Sequence, residues 1–220
     1  MMQITERLNG ILSGYMPEET VFLCENRMLG RRILAECAKE KLLIGVRAET
    51  PLSLALEVCS PVLDQAGGWT FIGKNEAAEV LFSVLQQQKK EGFLGSPSAR
   101  TMASAENLYS ALQEIEMADI AVLQGGSKEK ELQQLREAYQ NEKKAKKLLD
   151  RADLFRFAID LLDAGKVQKR KVNYLTLGAF CFTPLELRFV NAFTDHTLEV
   201  VSVGIPEGDQ KIYKHINGYG

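Results

Sequence analysis

Few side chains in this 220-residue chain are of the kinds that do covalent or metal chemistry, and their spacing limits what they can do. The four cysteines, Cys24, Cys37, Cys59 and Cys181, include no C-x-x-C pair, and the two histidines, His196 and His215, stand near the end. Neighbouring residues therefore supply no zinc ligand set. Each cysteine lies in an apolar run, where a free thiol behaves as a small hydrophobe, so all four are expected to be buried structural thiols. No G-x-S-x-G accompanies the histidines, and we expect neither a catalytic residue nor a metal ligand.

Phosphate chemistry is the next possibility, because backbone N–H groups at a helix start are ready anion donors. The turn after the first apolar run reads Glu25-Asn26-Arg27-Met28-Leu29-Gly30-Arg31-Arg32. One glycine of the G-x-x-x-x-G-K-[ST] pattern fits; the first glycine, the lysine and the hydroxyl do not, and Glu25 would bring a carboxylate toward the phosphates. The dinucleotide pattern G-x-G-x-x-G is also absent, and Leu177-Gly178-Ala179-Phe180 supplies no carboxylate for Mg²⁺. No nucleotide or other cofactor is expected. Glu142-x-Lys144 and Asp209-x-Lys211 match the E/D-x-K letters of a nuclease centre, but each lacks an upstream acid on a strand and reads as solvated surface. Basic sets at Lys143, Lys144, Lys146 and Lys147, at Lys166, Lys169, Arg170 and Lys171, and at Arg27, Arg31 and Arg32 read first as solvated faces; two of them flank sheet edges where a phosphate backbone could lie.

The elements that must position these groups follow from periodicity. Met1 to Pro17 reads as a short amphipathic helix. Thr20 to Cys24 is a continuous apolar run, as for a parallel strand covered on both faces. Met28 to Lys41 follows as a helix with Leu29, Ile33, Cys37 and Ala38 on one face. Gly45 to Thr50 is a second strand, and Thr50 can cap a helix with Pro51 first and Leu52, Leu54, Leu56 and Val58 apolar. This order predicts a right-handed βαβ start. Trp69 to Ile72 is a brief strand or a packed loop. Helices are then expected at Glu76–Lys90, at Ser104 to about Met117, and in one long segment, Lys128–Asp163, with a bend near Asp150. That segment carries a stripe of Leu132, Leu135, Tyr139, Leu149 and Ala152, with Glu142 and Lys146 facing water. Strands return at Tyr174–Leu177 and Leu198–Val203, around a helix opened by Thr183-Pro184. The expected organisation is residues 1–74 as the first half of an α/β sheet domain, 75–165 as a helical insertion, and 166–220 as the second half.

Composition agrees with a soluble globular protein: 27 basic against 29 acidic residues, 45% hydrophobic and 25% charged. This excludes collagenous, disordered and disulfide-scaffold classes. No apolar run reaches the roughly 18 residues of a membrane span, and Met1 to Tyr15 lacks a signal-peptide core, so a cytoplasmic location without a membrane partner is expected.

Three segments in order resemble a known family. Val21-Phe22-Leu23-Cys24-Glu25-Asn26 with Leu29-Gly30-Arg31-Arg32-Ile33-Leu34, then Val46-Arg47-Ala48-Glu49-Thr50-Pro51-Leu52-Ser53-Leu54-Ala55, are similar to the motif Ia and Ib region of superfamily 1 helicases. Tyr174-Leu175-Thr176-Leu177-Gly178-Ala179-Phe180-Cys181-Phe182-Thr183-Pro184-Leu185-Glu186 is similar to the strand and F-T-P-x-[EQ] segment descended from the helicase Walker B motif. Glu131 to Tyr139, up to Asp150, resembles the helical insertion in which a tyrosine and a later aspartate recur. Together, over roughly residues 19 to 205, they resemble the helicase-like N-terminal domain of AddB-type helicase/nuclease proteins of the PD-(D/E)xK nuclease superfamily.

That resemblance implies a P-loop-NTPase-like (helicase-like) parallel sheet with a large all-helical insertion. The chain departs from the family where the ATP machinery should be. Only Met1 to Pro17 precedes the motif Ia match, with no glycine-lysine, and Gly178 and Ala179 stand where helicases carry Asp-Glu. The implied role is a non-catalytic scaffold, the N-terminal part of a DNA-repair and recombination protein whose nuclease centre, if any, lies beyond Gly220. Implied partners are single-stranded DNA and other domains of the parent protein or a helicase subunit. The nucleic-acid-binding candidates are Asn26, Arg27, Thr50 and Ser53, with Arg31 from the same basic set as Arg27. Plain helix capping explains Thr50 equally well, and a turn explains Asn26. Two other classes stay open: a small-molecule enzyme on a Rossmann-like sheet with ligand near Glu25 and Gly178, and a protein-interaction module using the long helix.

Overall fold

Val21, Phe22 and Leu23 are each buried almost completely, which marks their strand as internal to its sheet. The computed structural model of the protein describes residues 20–39, 43–63, 68–88, 92–167 and 182–193, together with the backbone of 173–177 and 199–201. The expected helix over the first 17 residues, Cys181, Gly178, both histidines and the set at Lys169, Arg170 and Lys171 lie outside the described residues. The fold is α/β and mostly helical. It divides into two units, residues 1–54, 168–181 and 190–220 in one, and 55–167 with 182–189 in the other.

The first unit is built on a four-stranded sheet. Strand β1 (Thr20–Leu23) pairs in parallel with β2 (Val46–Glu49) on one side and β5 (Asn173–Leu177) on the other, and β5 pairs in parallel with β6 (Glu199–Val201), giving the order β2-β1-β5-β6. Two strands precede the helical stretch of the sequence and two follow it. Between β1 and β2 runs helix α1 (Arg27–Ala38). Its buried residues are Gly30, Ile33 and Cys37, whereas Leu29 and Ala38, expected on the inner face, are exposed. The face is rotated because the helix closes on the sheet at its glycine. A Cβ on Gly30 would lie 2.6 Å from Cys24 Sγ and 2.8 Å from the Ala48 side chain, so only glycine admits this approach.

Helix α2 (Pro51–Leu63), in which the division into units falls, starts at Pro51 as expected, with Leu54, Ala55, Val58 and Cys59 buried and Leu52 and Leu56 only partly so. The second unit contains α3 (Lys74–Gln87), a short 3₁₀ helix (Pro97–Arg100), α4 (Met102–Met117), α5 (Ser127–Ala145) and α6 (Arg151–Asp163). It also holds the first turns of α7 (Pro184–Phe193) and a two-stranded parallel ribbon of β3 (Thr70–Phe71) and β4 (Leu148–Leu149). Leu81, Leu85, Tyr109, Leu112, Leu135 and Tyr139 form the centre of its core, where the two tyrosine rings meet edge-on at 6.2 Å. Phe155 of α6 packs on Phe189 of α7 at 5.4 Å.

The expected single helix from Lys128 to Asp163 is in fact two. Helix α5 stops at Ala145, Lys147 takes a left-handed conformation with φ of 54°, and residues 148–149 pair with β3 before α6 begins. Thr70 N–H donates to Lys147 C=O at 2.9 Å and Ile72 N–H to Leu149 C=O at 2.9 Å, so the ribbon takes the backbone groups that a continuous helix would use. Asp150 then restarts the helix, accepting from the N–H groups of Ala152 and Asp153, while the Asp153 side chain accepts from the Asp150 N–H. This reciprocal cap satisfies donors that a helix start otherwise leaves open.

Candidate nucleic-acid interface

Because β1 and β2 run parallel with Leu23 opposite Glu49, the segments leaving them emerge at the same edge of the sheet. Open parallel sheets present ligand-contacting loops at this carboxyl edge. Pairing continues one step further, with Cys24 N–H donating to Glu49 C=O at 3.0 Å. The turn that follows exposes Glu25, Asn26 and Arg27, and the Asn26 side chain caps α1 by accepting from Met28 N–H at 2.8 Å. Arg31 lies one turn beyond Arg27 on α1, on the same side by helical spacing, and both it and Arg32 are exposed.

On the neighbouring loop, Thr50 and Ser53 cap α2 reciprocally. Thr50 Oγ1 accepts from Ser53 N–H at 3.1 Å, and Ser53 Oγ accepts from Thr50 N–H at 2.9 Å. Glu49 joins the two loops. Its Oε1 is 2.9 Å from Arg27 Nη2 and 3.8 Å from Arg47 Nη1, and its Oε2 accepts from Ser53 Oγ at 2.6 Å. The structure thus gathers Asn26, Arg27, Thr50 and Ser53 at one sheet edge, with Arg31 beside them on α1. It also engages the side chains of Asn26, Thr50 and Ser53 in helix caps. The arginines carry the positive charge that faces water there.

Glu49 was not among the expected site residues. The available signal was a carboxylate ending a strand inside the quoted Val46 to Ala55 segment, and its partner Arg27 is 22 positions away in sequence. A second polar cluster, in the helical unit, was also unexpected. Lys143, read from sequence as part of a solvated basic face, is only 1% exposed. Its ammonium lies 2.5 Å from Asp150 Oδ2, pairs also with Asp153, and sits 4.5 Å from the centre of the Tyr139 ring, while Tyr139 Oη donates to Asp150 at 3.2 Å. Burial and the Asp150 charge push the Asp153 carboxyl up to about 6 against the pull of Lys143.

Elsewhere in this unit Arg136 donates from Nε to Glu116 at 2.7 Å and to the carbonyls of Ala121 and Ile120 at 3.0 and 2.8 Å. Burial alone would raise Glu116, but Arg136 and Arg156 outweigh it and hold the carboxyl near 2. At the start of α7, Thr183 and Glu186 form another cap, with Glu186 Oε2 accepting from Thr183 N–H at 3.0 Å and Oε1 meeting Arg151 at 2.7 Å.

Cys24, Cys37 and Cys59 are buried free thiols. Burial pushes Cys24 up to about 11 and Cys59 to about 12, the reverse of nucleophile activation. The stripe on α5 is turned inward: Leu135 and Tyr139 are core, and Leu132 packs against it, so the helix has no broad apolar face left for a partner. Of the two residues expected to face water, Lys146 is exposed and pairs with the partly buried Glu142 at 2.8 Å. Among the described residues no group of three His, Cys, Asp or Glu side chains could hold a metal ion, and no helix is long and apolar enough to cross a membrane. No family model matches the chain, and comparison with curated proteins returns no match.

Proposed function

We propose that this chain is a non-catalytic, helicase-like scaffold domain of a DNA-repair and recombination helicase/nuclease, and that it contacts the backbone of single-stranded DNA at the carboxyl edge of β1 and β2. One observation carries the reading. The two segments similar to helicase motifs Ia and Ib lie side by side at one sheet edge, cross-linked by the Arg27–Glu49 ion pair and flanked by the exposed Arg31. Guanidinium groups suit phosphate oxygens because their planar donors bind them two at a time. The caps at Asn26 and at Thr50–Ser53 hold the starts of α1 and α2, so the arginines are presented from fixed backbone. The parent protein's other domains, or a helicase subunit, are the partners of the scaffold role, with a P-loop-NTPase-like sheet as its ancestry.

Ultraviolet cross-linking to a thymidine-rich oligonucleotide, followed by peptide mapping, tests this. The expected cross-links fall in residues 25–32 and 50–54. Cross-links confined to the helical unit would refute the placement, and photolabelling by an azido-ATP analogue would refute the loss of the nucleotide site.

A further inference from the structure

The Arg27–Glu49 pair has an asymmetry that bears on how the edge would engage a ligand. The Arg27 side chain is 48% exposed and the Glu49 side chain 7%, so the cation lies at the water boundary and the anion behind it. Glu49 does not depend on Arg27 alone. Arg47 Nη1 stands 3.8 Å from the same carboxylate oxygen, and Ser53 Oγ donates to the other at 2.6 Å. A buried carboxylate stripped of every partner would be strongly unfavourable, but this one keeps two when Arg27 swings away. Asn26 caps α1 at the residue before, so release needs only rotation of the Arg27 side chain.

Resting on the reading above, we propose that Glu49 is a positioning residue: an internal carboxylate that holds Arg27 while the edge is empty and yields it to a backbone phosphate of single-stranded DNA. The carboxylate occupies the place of the phosphate and competes with it. Affinity is therefore set below what the arginines alone would give, and a ligand must present a phosphate that outcompetes Glu49.

The test is a double-mutant cycle on oligonucleotide affinity, with Arg27→Ala, Glu49→Gln and the pair measured by fluorescence anisotropy at low salt. An ion pair with one exposed partner opposes release modestly, so Glu49→Gln is expected to bind about two- to fivefold more tightly. Arg27→Ala is expected to cost more in the Glu49→Gln background than in the native chain. A structural role alone would weaken binding in Glu49→Gln and make the cost of Arg27→Ala equal in both. Either result overturns the proposal. A native chain that binds no DNA overturns instead the reading on which it rests, and the proposal with it. Should Glu49→Gln not fold, the native chain still decides: the Arg27 side-chain Nε–H resonance should shift on titration with oligonucleotide, and an unmoved signal while DNA binds refutes the exchange.

Discussion

Replacing Asp150 by alanine should destabilise the helical unit by about 3–4 kcal/mol, and the structure says where each part arises. The Asp150 side chain caps α6 through bonds to Ala152 N–H at 3.1 Å and Asp153 N–H at 3.2 Å, and loss of such a cap costs about 1 kcal/mol. It also accepts from Tyr139 Oη, and leaving a buried hydroxyl without its acceptor costs about 1 kcal/mol or more. The third part is the Lys143 ion pair, in which both side chains are 1% exposed. Breaking a buried pair costs about 3–5 kcal/mol when nothing replaces the lost partner, but Asp153 remains on Lys143, so about 1–2 kcal/mol is expected here. Asp150→Asn keeps the capping Oδ1 but turns Oδ2 into an NH2 donor that cannot accept from Lys143 or Tyr139, so it should save only the cap and cost about 2–3 kcal/mol. Urea unfolding followed by far-UV circular dichroism at neutral pH reads the difference. With a slope of about 2 kcal/mol per molar urea, the alanine midpoint should fall by about 1.5–2 M and the asparagine midpoint by about 1–1.5 M. An alanine variant within about 1 kcal/mol of the native chain, or an asparagine variant as unstable as the alanine one, would refute the assignment.

Two further predictions concern the same two units. Asp153 is raised to about 6, so its contribution is full below about pH 4, where the unfolded chain is also protonated, and is lost as pH rises through about 6; Glu116 is held near 2, so its contribution is full above its ordinary range and lost as pH falls toward 2. Unfolding measured from pH 3 to 8 should therefore show greatest stability at about pH 4 to 4.5, with Asp153→Asn removing the decline toward neutrality and Glu116→Gln the decline toward acid; a native profile flat from about pH 5 to 7 would contradict the first assignment. In the sheet unit, Gly30→Ala places a methyl group 2.6 Å from Cys24 Sγ and should cost about 1–3 kcal/mol by forcing α1 off the sheet, although alanine favours a helix. A stabilised variant in thermal melts would refute the tight packing of α1.

How much of this could be read from sequence differs from element to element, for physical reasons. Val21-Phe22-Leu23 marks an internal parallel strand because a strand covered on both faces must be apolar at every position, and Thr50-Pro51 marks a helix start because its cap is local. The inner face of α1 was misphased because hydrophobicity favours Leu29, whereas contact with Cys24 and Ala48 selects Gly30, whose virtue is the absence of a side chain. The break after Ala145 was hidden by a polar pattern that continues smoothly through Lys146 and Lys147. The Asp150-x-x-Asp153 cap was the one local signal for it. Lys143 looked solvated because its partners restart the chain on the far side of that break. The five candidate residues were legible as two segments, but that β1 and β2 would set them at one edge, with Glu49 between them, depends on strand pairing that one sequence does not display.

Binding of single-stranded DNA at the β1–β2 edge is read by anisotropy of a labelled oligonucleotide at about 50 and 200 mM salt, comparing the native chain with the Arg27→Ala, Arg31→Ala variant. For single strands the logarithm of affinity falls with that of salt by about 0.7 per phosphate neutralised, so loss of two contacts should make the slope shallower by about 1.4 and weaken binding at low salt. A variant with the native affinity and slope, or a native chain that binds no DNA, would contradict the account.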